Sequence, residues 1–364
     1  MSERWPNWLS INENLRDLKP YGAPQIKTEV RLNTNENPFS LDGELQSAII
    51  KEISNQVAHL NRYPDRDAVE LRVLLAEFIN ELSETDFKSE NIWAANGSNE
   101  ILQSIALAFQ GAAMGFEPSY SMHPLIAKTV GKKWIAISRN SDFSLDVPTA
   151  IKAIKQHRPG LIFLTTPNNP TGGSIPLEAI SQIAQCAIEI GAILVVDEAY
   201  AEFSTQPSAV TLIAQNPNLI VSRTMSKAFA FAGARLGYMI AAPILVEAML
   251  LVRLPYHLSD LSQAAARAVL QNRVGLRRQV IELKENRDWL TSQLRQLGLS
   301  VSESDANFIL FSGFIPSAAE LWQSLVEHQV LVRDVGIPGH LRVTVGTAAE
   351  NQKFLTALRG ALAL

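Results

Sequence analysis

Lys227 stands where a lysine is rarely placed. It lies in SRTMSKAFAFAGARLGYMIA, residues 222–241, between the apolar runs NLIV and LGYMIA, with Ser226 before it and Arg235 beyond a small-residue loop. Desolvation at the end of a core strand, with a cation such as Arg235 nearby, lowers the pKa of an amine and makes it nucleophilic. Three more polar clusters follow apolar runs. NGSNE (96–100) follows NIWAA, TPNNPTG (166–172) follows LIFLT, and DEAY (197–200) follows AILVV. NGSNE opens a helix, and free N–H groups at a helix start suit a phosphate. Alone it reads as an ordinary capped helix, with Ser98 or Asn99 as cap. Asp197, at the mouth of an apolar strand, needs a cationic or hydrogen-bonding partner, or it caps the next helix. Arg235 is either a surface charge or a phosphate ligand.

Together these residues supply an amine for a Schiff base, a carboxylate for a pyridinium nitrogen, a phosphate cup and an Asn/Tyr pair for a phenolic oxygen. One cofactor uses all four, pyridoxal 5'-phosphate. Asp197 would keep the pyridine ring protonated as an electron sink. Lys227 would first hold the cofactor and then, once displaced by a substrate amine, act as general base on the α-proton. No GxGxxG, Walker loop or HExxH spacing occurs, so dinucleotide, NTP and metal readings lack support.

The elements that must carry these groups are legible in outline. From about residue 90, β-rich runs (NIWAA, KWIAIS, LIFLTT, AILVVD, LIVSRT, LGYMIA) are mostly separated by helical stretches. That alternation predicts an α/β layer with a mainly parallel sheet. Ligands bind beyond the carboxyl ends of such strands, so all four clusters are expected at one edge. Helical material over 255–298 leads to a smaller α+β unit. The expected division is an N-terminal arm (1–40) packing on the small unit, a large domain (41–260) and a small C-terminal domain (261–364).

The 364 residues are 47% hydrophobic and 19% charged, with a formal net charge of −4. That balance describes a globular protein and argues against nucleic-acid or membrane-surface partners. The single cysteine, Cys186, falls on the apolar face of a predicted helix and fits a reducing compartment. The N-terminus has no signal-like apolar run. The most apolar stretch, GYMIAAPILVEAMLLVRL, is broken by Pro243 and Glu247 into strand, turn and helix. A cytoplasmic location is expected.

Through RLNTNENP, NRYPDRDA, NGSNE, PSYSMH, TPNNPTG, VVDEAYAEF, RTMSKAFAFAGARLGY, VRDVG and LRVTVG, in that order, the chain resembles the fold type I aminotransferases of the class II subgroup. Within them it is similar to the histidinol-phosphate aminotransferase family, over nearly the whole chain. The resemblance implies a seven-stranded, mainly parallel sheet between helices and a smaller α+β domain. It implies transamination of histidinol phosphate with 2-oxoglutarate to imidazole acetol phosphate and glutamate, in histidine biosynthesis. An aromatic amino-acid aminotransferase and a threonine-phosphate decarboxylase remain alternatives on the same scaffold.

By position, the resemblance makes Lys227 the Schiff-base lysine and Asp197 the partner of the pyridine nitrogen. Asn169 and Tyr200 hold the phenolic oxygen, and Tyr120 stacks on the ring. Ser98, Asn99, Thr224, Ser226 and Arg235 form the phosphate cup. Tyr63 reaches the phosphate of the neighbouring subunit, which implies a homodimer with shared active sites. Read without the family, Tyr63 precedes a turn and a helix. Tyr21, Asn35, Arg333 and Arg342 match substrate-side positions. Paired guanidinium groups favour bidentate phosphate or carboxylate binding. The segment around Asn35 is a candidate lid over bound substrate. His123 departs from the family's second tyrosine in PxYxxY and reads as structural or as part of the pocket wall. His257 and His340 read as non-catalytic.

Overall fold

The structure, a computed structural model, describes residues 5, 6 and 8–363. Its first strand, β1 (Val30–Arg31), belongs to the arm. Seven strands then build the main sheet: β2 (Ile92–Ala95), β3 (Ala113–Glu117), β4 (Trp134–Ser138), β5 (Leu161–Thr165), β6 (Ile193–Asp197), β7 (Leu219–Thr224) and β8 (Gly237–Ala241). Their order is β2-β8-β7-β6-β5-β3-β4. β8 alone runs antiparallel to its neighbours, β2 and β7. The remaining pairs are parallel. Eleven helices accompany the strands among the described residues: α1 (Gly43–Val57), α2 (Val69–Ser83), α3 (Ser98–Ala108), α4 (Met122–Thr129), α5 (Val147–His157), α6 (Leu177–Glu189), α7 (Pro243–Val252), α8 (Asp260–Gln271), α9 (Val274–Gln296), α10 (Ala318–Glu327) and α11 (Ala348–Leu362).

The apolar strand runs are explained by burial on both faces, as expected of a parallel sheet covered by helices. Side chains alternate between two separate cores. Ile162, Leu164, Leu194, Val196, Leu219 and Val221 join one core, together with residues of α2, α5, α6 and α8. Leu161, Phe163, Val195 and Ile220 join the other, with α3, α4 and α7. Helix α6 shows the matching helical pattern: Ile180, Ile183, Ala184 and Ala187 are buried on one face, and Cys186 is buried beside them.

The reversal of β8 matters for function. It brings the start of β8 to the same edge as the carboxyl ends of its neighbours. In the register, Gly237 pairs with both Ala95 and Thr224, Asp197 pairs with Ser222, and Thr165 pairs with Asp197. The four polar clusters therefore share one edge, as the alternation predicts. Helix α3 departs from expectation in its cap. Gly97 is the N-cap, at φ +87°, and no side chain caps the helix; Ser98 is already its first residue. A glycine takes that left-handed backbone without strain, and both serine and asparagine side chains are left free for other work.

The small unit is an antiparallel sheet ordered β12-β13-β10-β9, from β9 (Ser300–Val301), β10 (Phe308–Ser312), β12 (Arg333–Asp334) and β13 (His340–Thr344). β11 (Val330–Leu331) instead pairs in parallel with β1. Helices α10 and α11 begin with capping boxes, Ser317 with Glu320 and Thr347 with Glu350. The arm divides its contacts. Its strand pairs with the small unit, but Asn14 Nδ2 donates to the Lys128 carbonyl at 2.6 Å, at the end of α4 in the large unit. Residues 1–4 and 7 of the arm lie outside the described residues.

Gly237 is the tightest joint at the functional edge. A Cβ there would lie 2.3 Å from the Ser98 nitrogen and 2.4 Å from the Gly97 carbonyl carbon, both backbone atoms that cannot swing aside. Gly237→Ala is therefore expected to cost about 3 kcal/mol, the upper range for overpacking. Chemical denaturation should show a lower midpoint at unchanged slope.

Candidate active site

At the shared edge lies a cavity of about 750 Å³, walled by strand ends of the large sheet, by arm residues 33–36 and by Arg333 and Arg342 of the small sheet. Lys227 follows β7 after one turn, and its Nζ donates to the Thr34 carbonyl at 2.9 Å. Burial depresses the amine's pKa from its usual value to about 8, helped by the positive charges of Arg342 and Arg235 and opposed by Glu36. The direction is the one expected, although Arg342 precedes Arg235 among the responsible charges.

Asp197 ends β6 on the face of Val195. One carboxylate oxygen accepts from the Ala199 N–H at 3.2 Å, and the other lies 3.2 Å from His123 Nε2. Both side chains are 2% exposed. The partner that a buried carboxylate requires is thus His123. That histidine is in turn clamped, stacked on Phe163 at 4.8 Å between centroids and set edge-on to Tyr120 at 5.4 Å. His123 does not itself line the cavity, so the structural reading is the one the geometry favours. No α-helix follows Asp197; the next helical turn is a short 3-10 segment, Ala201–Phe203.

Tyr200 and Asn169 meet as expected. Asn169 Nδ2 donates to the Tyr200 hydroxyl at 3.3 Å, and Asn35 Nδ2 donates to the same oxygen at 2.9 Å. Burial pushes the Tyr200 phenol upward. The Tyr120 hydroxyl donates to Asn99 Oδ1 at 3.1 Å, and burial raises its pKa too. Ser98, Asn99, Thr224, Ser226 and Arg235 line one corner of the cavity. Arg235, at φ +56°, donates from Nη1 to the Ala232 carbonyl at 2.9 Å and to Ser226 Oγ at 3.4 Å. Gly97 leaves it room: a Cβ there would stand 2.7 Å from Arg235 Nη2. Hydroxyls, a helix N-terminus and a guanidinium in one corner make an anion site.

On the small-unit side, Arg333 and Arg342 are direct cross-strand partners. Arg342 donates from Nη1 to Asn169 Oδ1 at 2.5 Å and from Nη2 to the Asn33 carbonyl at 2.8 Å, with its guanidinium 5.1 Å from the Phe308 ring centre. Burial, with some help from Arg333, lowers its pKa to about 10. Arg333 Nη1 and Arg342 Nε are buried without a hydrogen-bond partner among the described residues. Buried donors of this kind are ordinarily paired, so two of them beside one cavity point to an anionic ligand. Tyr21, 51% exposed, lines the mouth.

Asn35 lines the cavity, as expected. That residue is 1% exposed. Its N–H donates to Thr344 Oγ1 at 3.0 Å, its Oδ1 accepts from the same hydroxyl at 3.0 Å, and its carbonyl accepts from Asn307 Nδ2 at 3.2 Å. So many buried partners make it a fixed wall. Tyr63 is not brought to the cavity. It is 79% exposed and stacks on Tyr256 at 4.4 Å. His257 Nε2 lies 3.0 Å from the Ala94 carbonyl and His340 Nδ1 lies 2.8 Å from the Pro338 carbonyl; neither lines the cavity. The sequence reading missed the Thr34 carbonyl, which has no side-chain signature. It also missed Glu117, which lines the cavity and accepts from Trp134 Nε1 at 2.9 Å.

The family described as aminotransferase class I and II matches residues 27–358. A protein of Mycobacterium sp. strain JLS named histidinol-phosphate aminotransferase is 53% identical over 353 residues, 96% of this chain and 93% of that one. A protein of the same name from Nocardia farcinica is 52% identical, covering 96% and 91%. Among solved structures, histidinol-phosphate aminotransferase from Sinorhizobium meliloti in complex with pyridoxal-5'-phosphate superposes with a TM-score of 0.85 at 23% identity, covering 97% of this chain and 98% of that one. The enzyme of the same name from Clostridium acetobutylicum gives 0.82 at 24%, covering 92% and 99%. With the family matched over most of its length and these relatives about half identical over nearly all of it, the chain belongs to the class I and II aminotransferases, in their histidinol-phosphate aminotransferase branch.

Proposed function

We propose that the protein is a pyridoxal-phosphate-dependent aminotransferase that converts histidinol phosphate and 2-oxoglutarate to imidazole acetol phosphate and glutamate, in histidine biosynthesis. The observation that carries this reading is Lys227, whose amine, shifted to about pH 8, shares one cavity with the His123–Asp197 pair and the two partnerless arginine nitrogens. The residues fit the cofactor: a corner for its phosphate, a buried carboxylate for its ring nitrogen and a Tyr/Asn pair for its phenolic oxygen. When bound, the cofactor supplies an electron sink for the carbon beside the substrate amine. Lys227 holds it and moves the proton. Asp197, oriented by His123, would hold the ring nitrogen. Tyr120 covers one ring face. Arg333 and Arg342 grip the far anion, which is a phosphate in one half-reaction and a carboxylate in the other.

The same reading assigns the large domain (41–260) to the cofactor, and the arm (1–40), through Tyr21 and Asn35, with the small domain (261–364) to the substrate. A cytoplasmic homodimer with shared sites completes it. Support comes from the exposed Tyr63, with Leu251 and Leu254 86% and 75% exposed, an apolar surface of the kind that marks interfaces. No helix among the described residues is long and apolar enough to cross a membrane.

Purified, cofactor-loaded protein given histidinol phosphate without keto acid should release one equivalent of imidazole acetol phosphate per site and then stop. Absence of that single turnover rejects the reading, and a higher kcat/KM for phenylalanine would favour the aromatic amino-acid aminotransferase, whose carboxylate the arginine pair would serve equally. Lys227→Ala should lower turnover by about 10³-fold, within the range for a lost general base, with the fold unchanged by circular dichroism.

In cofactor-free protein, acylation of Lys227 followed by peptide mass spectrometry should rise as pH passes through about 8, because the amine becomes neutral there. A midpoint near the ordinary lysine value of 10.5 would contradict the burial argument. For the dimer, mixing Lys227→Ala chains with Tyr63→Ala chains should restore turnover that neither has alone. In the hybrid, one site combines an intact lysine with an intact neighbouring tyrosine. No restoration after subunit exchange would show that the sites are not shared.

A further inference from the structure

The alternation of side chains that aims Asp197 and Thr224 at the active-site cavity aims their neighbours Glu198 and Arg223 at the opposite face. A second cavity, of about 450 Å³, lies there between the strand ends and α9. None of its lining residues lines the first. Yet the two stand back to back: Thr165 and Thr166, Asp197 and Glu198, and Lys227 and Ala228 are consecutive pairs that each give one residue to either side.

Its floor is a buried ion cluster. Arg223, 3% exposed, donates to Glu198 Oε2 from Nε at 3.1 Å and from Nη2 at 2.8 Å, and to Glu202 Oε1 from Nη1 at 3.1 Å. Nη2 also donates to Ser208 Oγ at 2.8 Å. Two carboxylates thus share one guanidinium, leaving one acid in excess. Burial raises the pKa of Glu202, with Arg223 only partly offsetting it. The walls are apolar, from Phe78, Phe229, Leu276 and Val280. The rim carries the opposite sign. Arg273 and Arg277 share the carboxylate of Glu81, while the Lys284 side chain has no ion pair or hydrogen bond among the described residues. Leu276, Val280 and Lys284, four residues apart, form one stripe of α9.

We propose that this cavity is a second ligand site, for a small zwitterion of the α-amino-acid class with an apolar side chain. The ammonium sits against Glu202, the carboxylate against Lys284, and the side chain against the edge-to-face pair of Phe78 and Phe229, whose centroids lie 5.2 Å apart. An acid in excess at the floor and an unpaired ammonium at the rim offer both charges to one ligand, and the volume is of the size that small ligands occupy.

The test is calorimetric titration of the cofactor-loaded protein with α-methyl-L-phenylalanine, which keeps both charges but has no α-proton to transfer. Its two singly charged analogues, lacking the carboxylate or the amine, are titrated alongside. A binding component weakened about tenfold or more, about 1.4 kcal/mol, in Glu202→Gln and in Lys284→Ala, and by removal of either ligand charge, supports the site. Affinity within twofold across wild type and both variants assigns all binding to the first cavity and overturns the proposal, as does no binding at all. Lys284→Ala, at the rim, keeps the test decisive should Glu202→Gln fail to fold, and its turnover of histidinol phosphate should match wild type.

Discussion

A carboxylate buried at the end of a strand is the constraint around which the rest is arranged. Asp197 lies 2% exposed in a sheet otherwise built of apolar runs, and an unpartnered charge there would be untenable. His123 provides the partner, and Phe163 and Tyr120 hold the imidazole in place. The stacking side chain, the histidine and the carboxylate are therefore one packed unit. To move any of them is to move all three.

The second organising fact is the two-residue period of the strands. Because β6 and β7 are buried on both faces, each must satisfy polar groups on both sides of the sheet at its end. One side resolves them with His123 and the anion corner, and the other with the Arg223 cluster. The buried cluster does not by itself argue for stability, since desolvation of three charges offsets much of their attraction. Its physical effect is to lock the two strand ends in register, directly behind the catalytic edge.

Much of this was legible in the sequence. The alternation of runs predicts the sheet, and four polar clusters at run ends predict one edge, because strand ends are read directly from where apolar residues stop. Less legible were contacts made by backbone. The Thr34 and Asn33 carbonyls that receive Lys227 and Arg342 carry no residue signature. What holds Asn35 in the wall was not legible: its partners Tyr200, Asn307 and Thr344 are far away in sequence, and a single sequence does not display such pairings. His123 was seen as a departure from pattern, but its bond to Asp197 depends on how α4 is laid against β6.

The arm's short run from Asn33 to Asn35 touches residues on both sides of the cavity: Lys227 of the large unit, and Arg342 and Thr344 of the small one. Partners on this run are as many as 309 positions apart. On the ribosome, then, the early segment waits until Arg342 and Thr344 emerge, 309 positions after their partners. The large sheet can form first, as domains generally do during synthesis, but its edge stays open until β13 arrives. A nascent or truncated chain thus has a sheet and a lysine without a finished chamber, and the capacity to retain a ligand arrives late, with the final strand.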